Sequence, residues 1–123
     1  MFNYSLLVSA IIFVSLDSVY LKLMKDYFNK QVQDIQGTKI QFNLLAALIC
    51  YIFLIYGLNY FIIRPRRSTS DAFLLGLIIY GVYETTNWAI FTKWSPLSVI
   101  IDTLWGGILF ALTTTIIQFL RLN

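Results

Sequence analysis

Three acidic side chains stand where acids are costly. Asp17, Glu84 and Asp102 fall inside long apolar runs, whereas Asp26, Asp34 and Asp71 lie in polar stretches. At the centre of a membrane-spanning helix an acid costs roughly 2.5–3.5 kcal/mol, and less towards the interface. Each of the three therefore needs compensation. Lys22 and Lys93, at the ends of runs, have stems long enough to reach back along apolar surface. The other routes are protonation, hydrogen bonds from Asn87, Tyr80, Tyr83 or Thr85, or a bound cation.

Tyr80, Glu84 and Asn87 are spaced i, i+4, i+7 and share one helix face. Tyr20 and Leu21 stand in the same way over Asp17. The candidate proton- or cation-binding set is Asp17, Glu84, Asn87 and Asp102, with Tyr80, Tyr83, Trp88 and Trp105 in support. Intramembrane acids mark ion and proton pathways by default. The competing reading is that they are hydrogen-bonded glue between helices. The tyrosines and tryptophans near helix ends fit an interfacial belt.

The elements that must position these residues are apolar runs long enough to cross a hydrocarbon layer of roughly 30 Å. The chain is 59% hydrophobic and 12% charged, about half the charged fraction of a soluble domain. Histidine is absent, which excludes Ser-His-Asp and Cys-His chemistry and the commonest metal ligand. Cys50, the one cysteine, lies mid-run and reads as a buried thiol. The net charge of +3 comes from residues flanking the runs, the membrane pattern, and gives no support to nucleic-acid binding. No cofactor is implied.

In chain order, the expected spans are about 4–24, 42–63, 72–91 and 97–120. The first lacks the basic start of a signal peptide and carries Asp17, so it reads as a span. Lys22–Gln41 is polar, with Tyr27, Phe28, Val32 and Ile35 at near-helical intervals. It reads either as a short interfacial helix or as a solvated loop. Arg64-Pro65-Arg66-Arg67 stops the second span, and Ser68-Thr69-Ser70-Asp71 supplies caps for the third. Arg121 closes the fourth. Gly106-Gly107 and Gly81 fit close helix approach, and Thr113–Thr115 fit backbone-bonded hydroxyls. The fold class is all-α, a four-helix transmembrane bundle in a single domain with both termini on one side. The arginine cluster tips that side towards the cytoplasm.

Alternating helix direction then makes a specific prediction. The exit ends of the first and third helices and the entry end of the fourth share one side of the membrane. Asp17, Glu84 and Asp102 therefore converge in one leaflet, about 7–11 Å below that side at 1.5 Å rise per residue. Trp88, Trp94 and Trp105 belong to the same leaflet.

Leu16-Asp17 with Tyr20-Leu21, GLxxYGxYExTNxA over Gly76–Ala89, the Trp94 turn and Asp102-x-x-Trp105-Gly106 carry a resemblance over nearly the whole chain. They resemble an uncharacterised family of small four-helix predicted integral membrane proteins, with D-x-x-W-L, YGxYDxTN and D-x-x-W-G motifs. Tyr20 stands where that family tends to have tryptophan, and Glu84 where it tends to have aspartate. The resemblance implies four spans and singles out the same acids, without an activity.

Three functions are open to such a chain. One is proton or cation transport, in a homo-oligomer or a larger membrane complex, because four short helices enclose little volume. The second is an accessory or assembly subunit of a membrane complex. The third is an enzyme acting on lipid headgroups, with carboxylates holding a divalent metal as oxygen ligands. In each case the lipid bilayer is a partner.

Overall fold

The computed structural model describes residues 4–38, 40 and 42–120. Lys39 and Gln41 of the polar stretch, and Arg121, lie outside the described residues. Four helices and no strands are present among the described residues. The first, α1, runs without a break over Tyr4–Gln36, 33 residues and thus about 50 Å long. The polar segment after Met24 is therefore helical, but it is neither a separate interfacial helix nor a loop. No glycine or proline interrupts it before Gly37, where a φ of +81° ends the helix.

Asn43 caps α2 (Leu44–Leu58), its Oδ1 accepting the Ala46 N–H at 3.0 Å. The same rod continues over Asn59–Ile63 in π geometry, with the Arg64 N–H donating to the Asn59 carbonyl at 2.8 Å. Ser68 caps α3 (Thr69–Ile90) through the Asp71 N–H, as its cap-type residues predict. Ser95 caps α4 (Pro96–Phe119), with the proline in its first turn, where a missing N–H costs nothing.

By length and composition, α1, the rod Leu44–Ile63 and α4 are long and apolar enough to cross a membrane. The shared helix α3 is not among these three; its 22 residues include Asp71, Glu84, Asn87 and Thr85-Thr86.

The closest packing is between α3 and α4, and glycines explain it. A Cβ on Gly76 would meet the Gly106 carbonyl oxygen at 2.2 Å, and one on Gly106 would meet the Tyr80 ring at 2.3 Å. One on Gly107 would meet the Phe73 ring at 2.7 Å. Gly106 and Gly107 thus serve close approach as expected, and Gly76 joins them. Gly81 makes only an ordinary contact with Thr103, at 3.5 Å. α1 packs on α4 and α2 packs on α1, so the helices form an open row, α2–α1–α4–α3, pinned where the π segment touches α4. Phe13, Leu58, Ile62, Ile63, Leu109, Phe110 and Ile117 form the core at that end and in the middle.

Candidate functional site

Towards the ends of the helices away from the π segment the three acids meet. Asp17, Glu84 and Asp102 line one cavity of about 270 Å³, together with Tyr20, Tyr80, Tyr83 and Trp94. Convergence follows from antiparallel neighbours, as alternation of helix direction requires. The α1 extension covers this cavity: Phe28 and Val32 line it, with Ile40 beyond the helix end.

α1 and α4 are joined by a reciprocal clamp. Tyr20 donates its hydroxyl to Asp102 Oδ1 at 3.0 Å, and Trp105 donates Nε1–H to Asp17 Oδ1 at 2.9 Å. Each helix therefore contributes one acid and one aromatic donor, three residues apart, which places them on one face. The Tyr20 and Trp105 rings stack at 4.6 Å, within 4° of parallel. The other oxygen of Asp17 accepts the Tyr51 hydroxyl at 2.5 Å, bringing in α2. Both oxygens of Asp17 thus have a donor.

Glu84 is 1% exposed and accepts Trp94 Nε1–H at 2.9 Å. Its carboxyl lines the same cavity as that of Asp102.

The position of Trp94 depends on Gln31, on the α1 extension. Gln31 Nε2 donates to the Lys93 carbonyl at 2.6 Å, while its Oε1 accepts the Ser95 N–H at 3.0 Å and the Ser98 hydroxyl at 2.8 Å. Tyr27 adds a hydroxyl contact to Ser98 at 3.0 Å. The polar half of α1 thus holds the turn that aims Trp94 at Glu84.

Several expected contacts are different here. Neither lysine at the span ends reaches an acid: among the described residues the one ion pair is Arg67–Asp71, at 3.6 Å. Thr85 donates to the Gly81 carbonyl at 2.6 Å, the usual fate of a helical threonine hydroxyl, and not to Glu84. Asn87 is buried beside Glu84 on α3 but does not line the cavity. Tyr80 and Tyr83 line it without donating to an acid, and half-exposed Trp88 stands outside it. The donors are instead Tyr20, Tyr51, Trp94 and Trp105. Tyr20 was legible from its spacing to Asp17, and Trp94 from its turn. Tyr51 and Gln31 carried no signal, because their partners lie 34 and more than 60 residues away.

Cys50 is exposed on α2 and not buried as expected. Thr113 and Thr115 bond back to the Leu109 and Ala111 carbonyls, both at 2.8 Å, as read, whereas the buried Thr114 hydroxyl, expected to do the same, has no hydrogen-bond partner among the described residues.

A family model described as "Predicted membrane protein (DUF2177)" matches residues 2–119. The chain belongs to the DUF2177 family. The resemblance carried by the Asp17, Gly76–Ala89 and Asp102 motifs therefore holds at the level of a family of predicted membrane proteins, and three helices of this member are able to cross a bilayer. No curated protein and no solved structure matches the chain. The geometry of this DUF2177 member therefore has to carry the functional reading.

Proposed function

We propose that this DUF2177 protein crosses the bilayer four times, and that its Asp17, Glu84 and Asp102 site takes up a proton or a cation as a step in transport. The observation that carries this reading is the Glu84–Asp102 pair. Both carboxyls line one cavity, with no lysine or arginine paired to either among the described residues. Such a pair takes up or releases a proton, or exchanges it for a cation, at small structural cost. In this reading α3 crosses despite its polar residues, because Glu84 and Asn87 face protein. The termini are cytoplasmic, and copies of the chain or other subunits complete the pathway.

The test is proton and cation flux into liposomes carrying the purified protein, wild type beside Glu84→Gln. Flux that disappears in a folded, inserted Glu84→Gln supports the reading. Folded wild type without flux overturns it.

One observation favours a second reading, an accessory or assembly subunit. Each acid already has an aromatic donor, and the network ties α1, α2, α4 and the α3–α4 turn together. In that case Glu84→Gln lowers stability or partner retention and moves no flux.

A further inference from the structure

The open row of helices leaves a gap between its two ends, α2 and α3, which scarcely touch. In that gap lies a second cavity of about 350 Å³, lined by Cys50 and Leu54 of α2 and by Ile79, Tyr80 and Tyr83 of α3. Asp102 lines it too, from α4. Tyr80, Tyr83 and Asp102 are therefore shared between this lateral cleft and the carboxyl cavity. In a bundle whose long axis crosses the membrane, a gap between two neighbouring helices faces lipid. With α3 crossing the bilayer as proposed above, this cleft opens to hydrocarbon and leads to an acid.

We propose that the ligand of this site is a membrane-soluble amphiphile with an ammonium headgroup, which enters from the bilayer between α2 and α3. This rests on the carboxyl-site function above and names its ligand. The cleft is of the size of small-molecule sites, which start at about 300 Å³. Its walls from Leu54 and Ile79 suit an alkyl chain. Its lining includes Asp102 together with Tyr80 and Tyr83, whose ring faces attract cations, and these three residues also line the cavity that holds Glu84. No lysine or arginine lines either cavity, so the complementary charge is positive. A bare ion reaching Asp102 by this route would have to cross hydrocarbon, at high cost. An alkylammonium brings its own apolar body and keeps only its head to be matched. On binding, the ammonium pairs with the Asp102 carboxylate, and any proton that carboxyl carried is released, so charge balances.

The experiment uses the full chain in phosphatidylglycerol vesicles, whose headgroups carry no amine. The probe is a long-chain alkylammonium with a diazirine in its tail, and crosslinks are mapped by mass spectrometry. The expected result is labelling of Cys50, Leu54, Ile79 or Tyr83, competed by the unmodified amine. Asp102→Asn should reduce labelling about tenfold or more, because losing one partner of a desolvated charge pair is worth at least that. Asp102→Glu should restore it. Ile79→Trp, which fills the cleft and leaves all carboxyls in place, covers the case in which Asp102→Asn does not fold, and should also abolish labelling. Equal labelling by a carboxylate-headed probe, labelling spread over lipid-facing surfaces, or labelling indifferent to both substitutions overturns the proposal. Proton flux in the same vesicles separates the two readings. Glu84-dependent flux without head-selective labelling sinks the amphiphile alone, whereas absence of Glu84-dependent flux sinks the transport site.

Discussion

Tyr20 and Trp105 stack face to face across the α1–α4 contact, each donating to the acid three residues from the other. Because the helices are antiparallel, one Asp-x-x-aromatic pattern on each suffices to build a closed clamp. It follows that the two halves are coupled. Tyr20→Phe and Trp105→Phe should each destabilise only modestly, since single interhelical hydrogen bonds in membranes average about 0.6 kcal/mol. The double variant should depart from additivity, because stack and hydrogen bonds are shared. Tyr20→Trp, which keeps a ring and an N–H donor, should retain the coupling. Unfolding in a denaturing detergent series measures all four.

Proton uptake by Glu84 and Asp102, as the transport reading requires, has a spectroscopic consequence. Infrared spectra of the folded wild type should contain a carboxylic-acid C=O stretch that Glu84→Gln and Asp102→Asn each alter, and that Asp71→Asn leaves alone. Asp71 is a suitable control because it is half exposed and ion-paired with Arg67. A spectrum without any such band would mean that neither carboxyl holds a proton.

Gly76→Ala and Gly106→Ala should force α3 and α4 apart. The first places a methyl on backbone and the second on the Tyr80 ring, and overpacking of this kind costs about 1–3 kcal/mol. Gly57→Ala is the internal control: nothing lies within 4 Å of its Cβ, and alanine is the better helix former by roughly 0.5–1 kcal/mol. Opposite signs for Gly57→Ala and Gly76→Ala in the same detergent titration check the packing directly.

Gln31→Ala should release the α3–α4 turn from the α1 extension. Three hydrogen bonds are lost at once, one of them to the Ser95 amide. Leaving such partners unpaired costs about 1–3 kcal/mol, so amide exchange at Ser95 should accelerate by about tenfold or more. Hydrogen exchange followed by mass spectrometry over the turn reads this. Unchanged protection there would show that Gln31 does not hold the turn.

Much of this architecture is written locally. Apolar runs, the Arg64–Arg67 stop, and Ser68 and Ser95 followed by helical sequence mark where the rods begin and end, because capping and burial act over a few residues. Even the meeting of Asp17, Glu84 and Asp102 is legible, since it needs only the direction of each helix and a count of residues. Only the tertiary structure decides what each acid touches. The rotation of α4 against α3 comes from the Gly76–Gly106 approach, that of α1 from the Tyr20–Trp105 stack, and neither is implied by helical periodicity. Hence Thr85 and the two lysines, close in sequence to the acids, bond elsewhere or not at all to them, while Tyr51 and Trp94 donate. The unbroken length of α1 is decided in the same way. Lys22–Gln36 has too little apolar surface to commit to a helix alone, and becomes one because Gln31 and Tyr27 find partners at the start of α4.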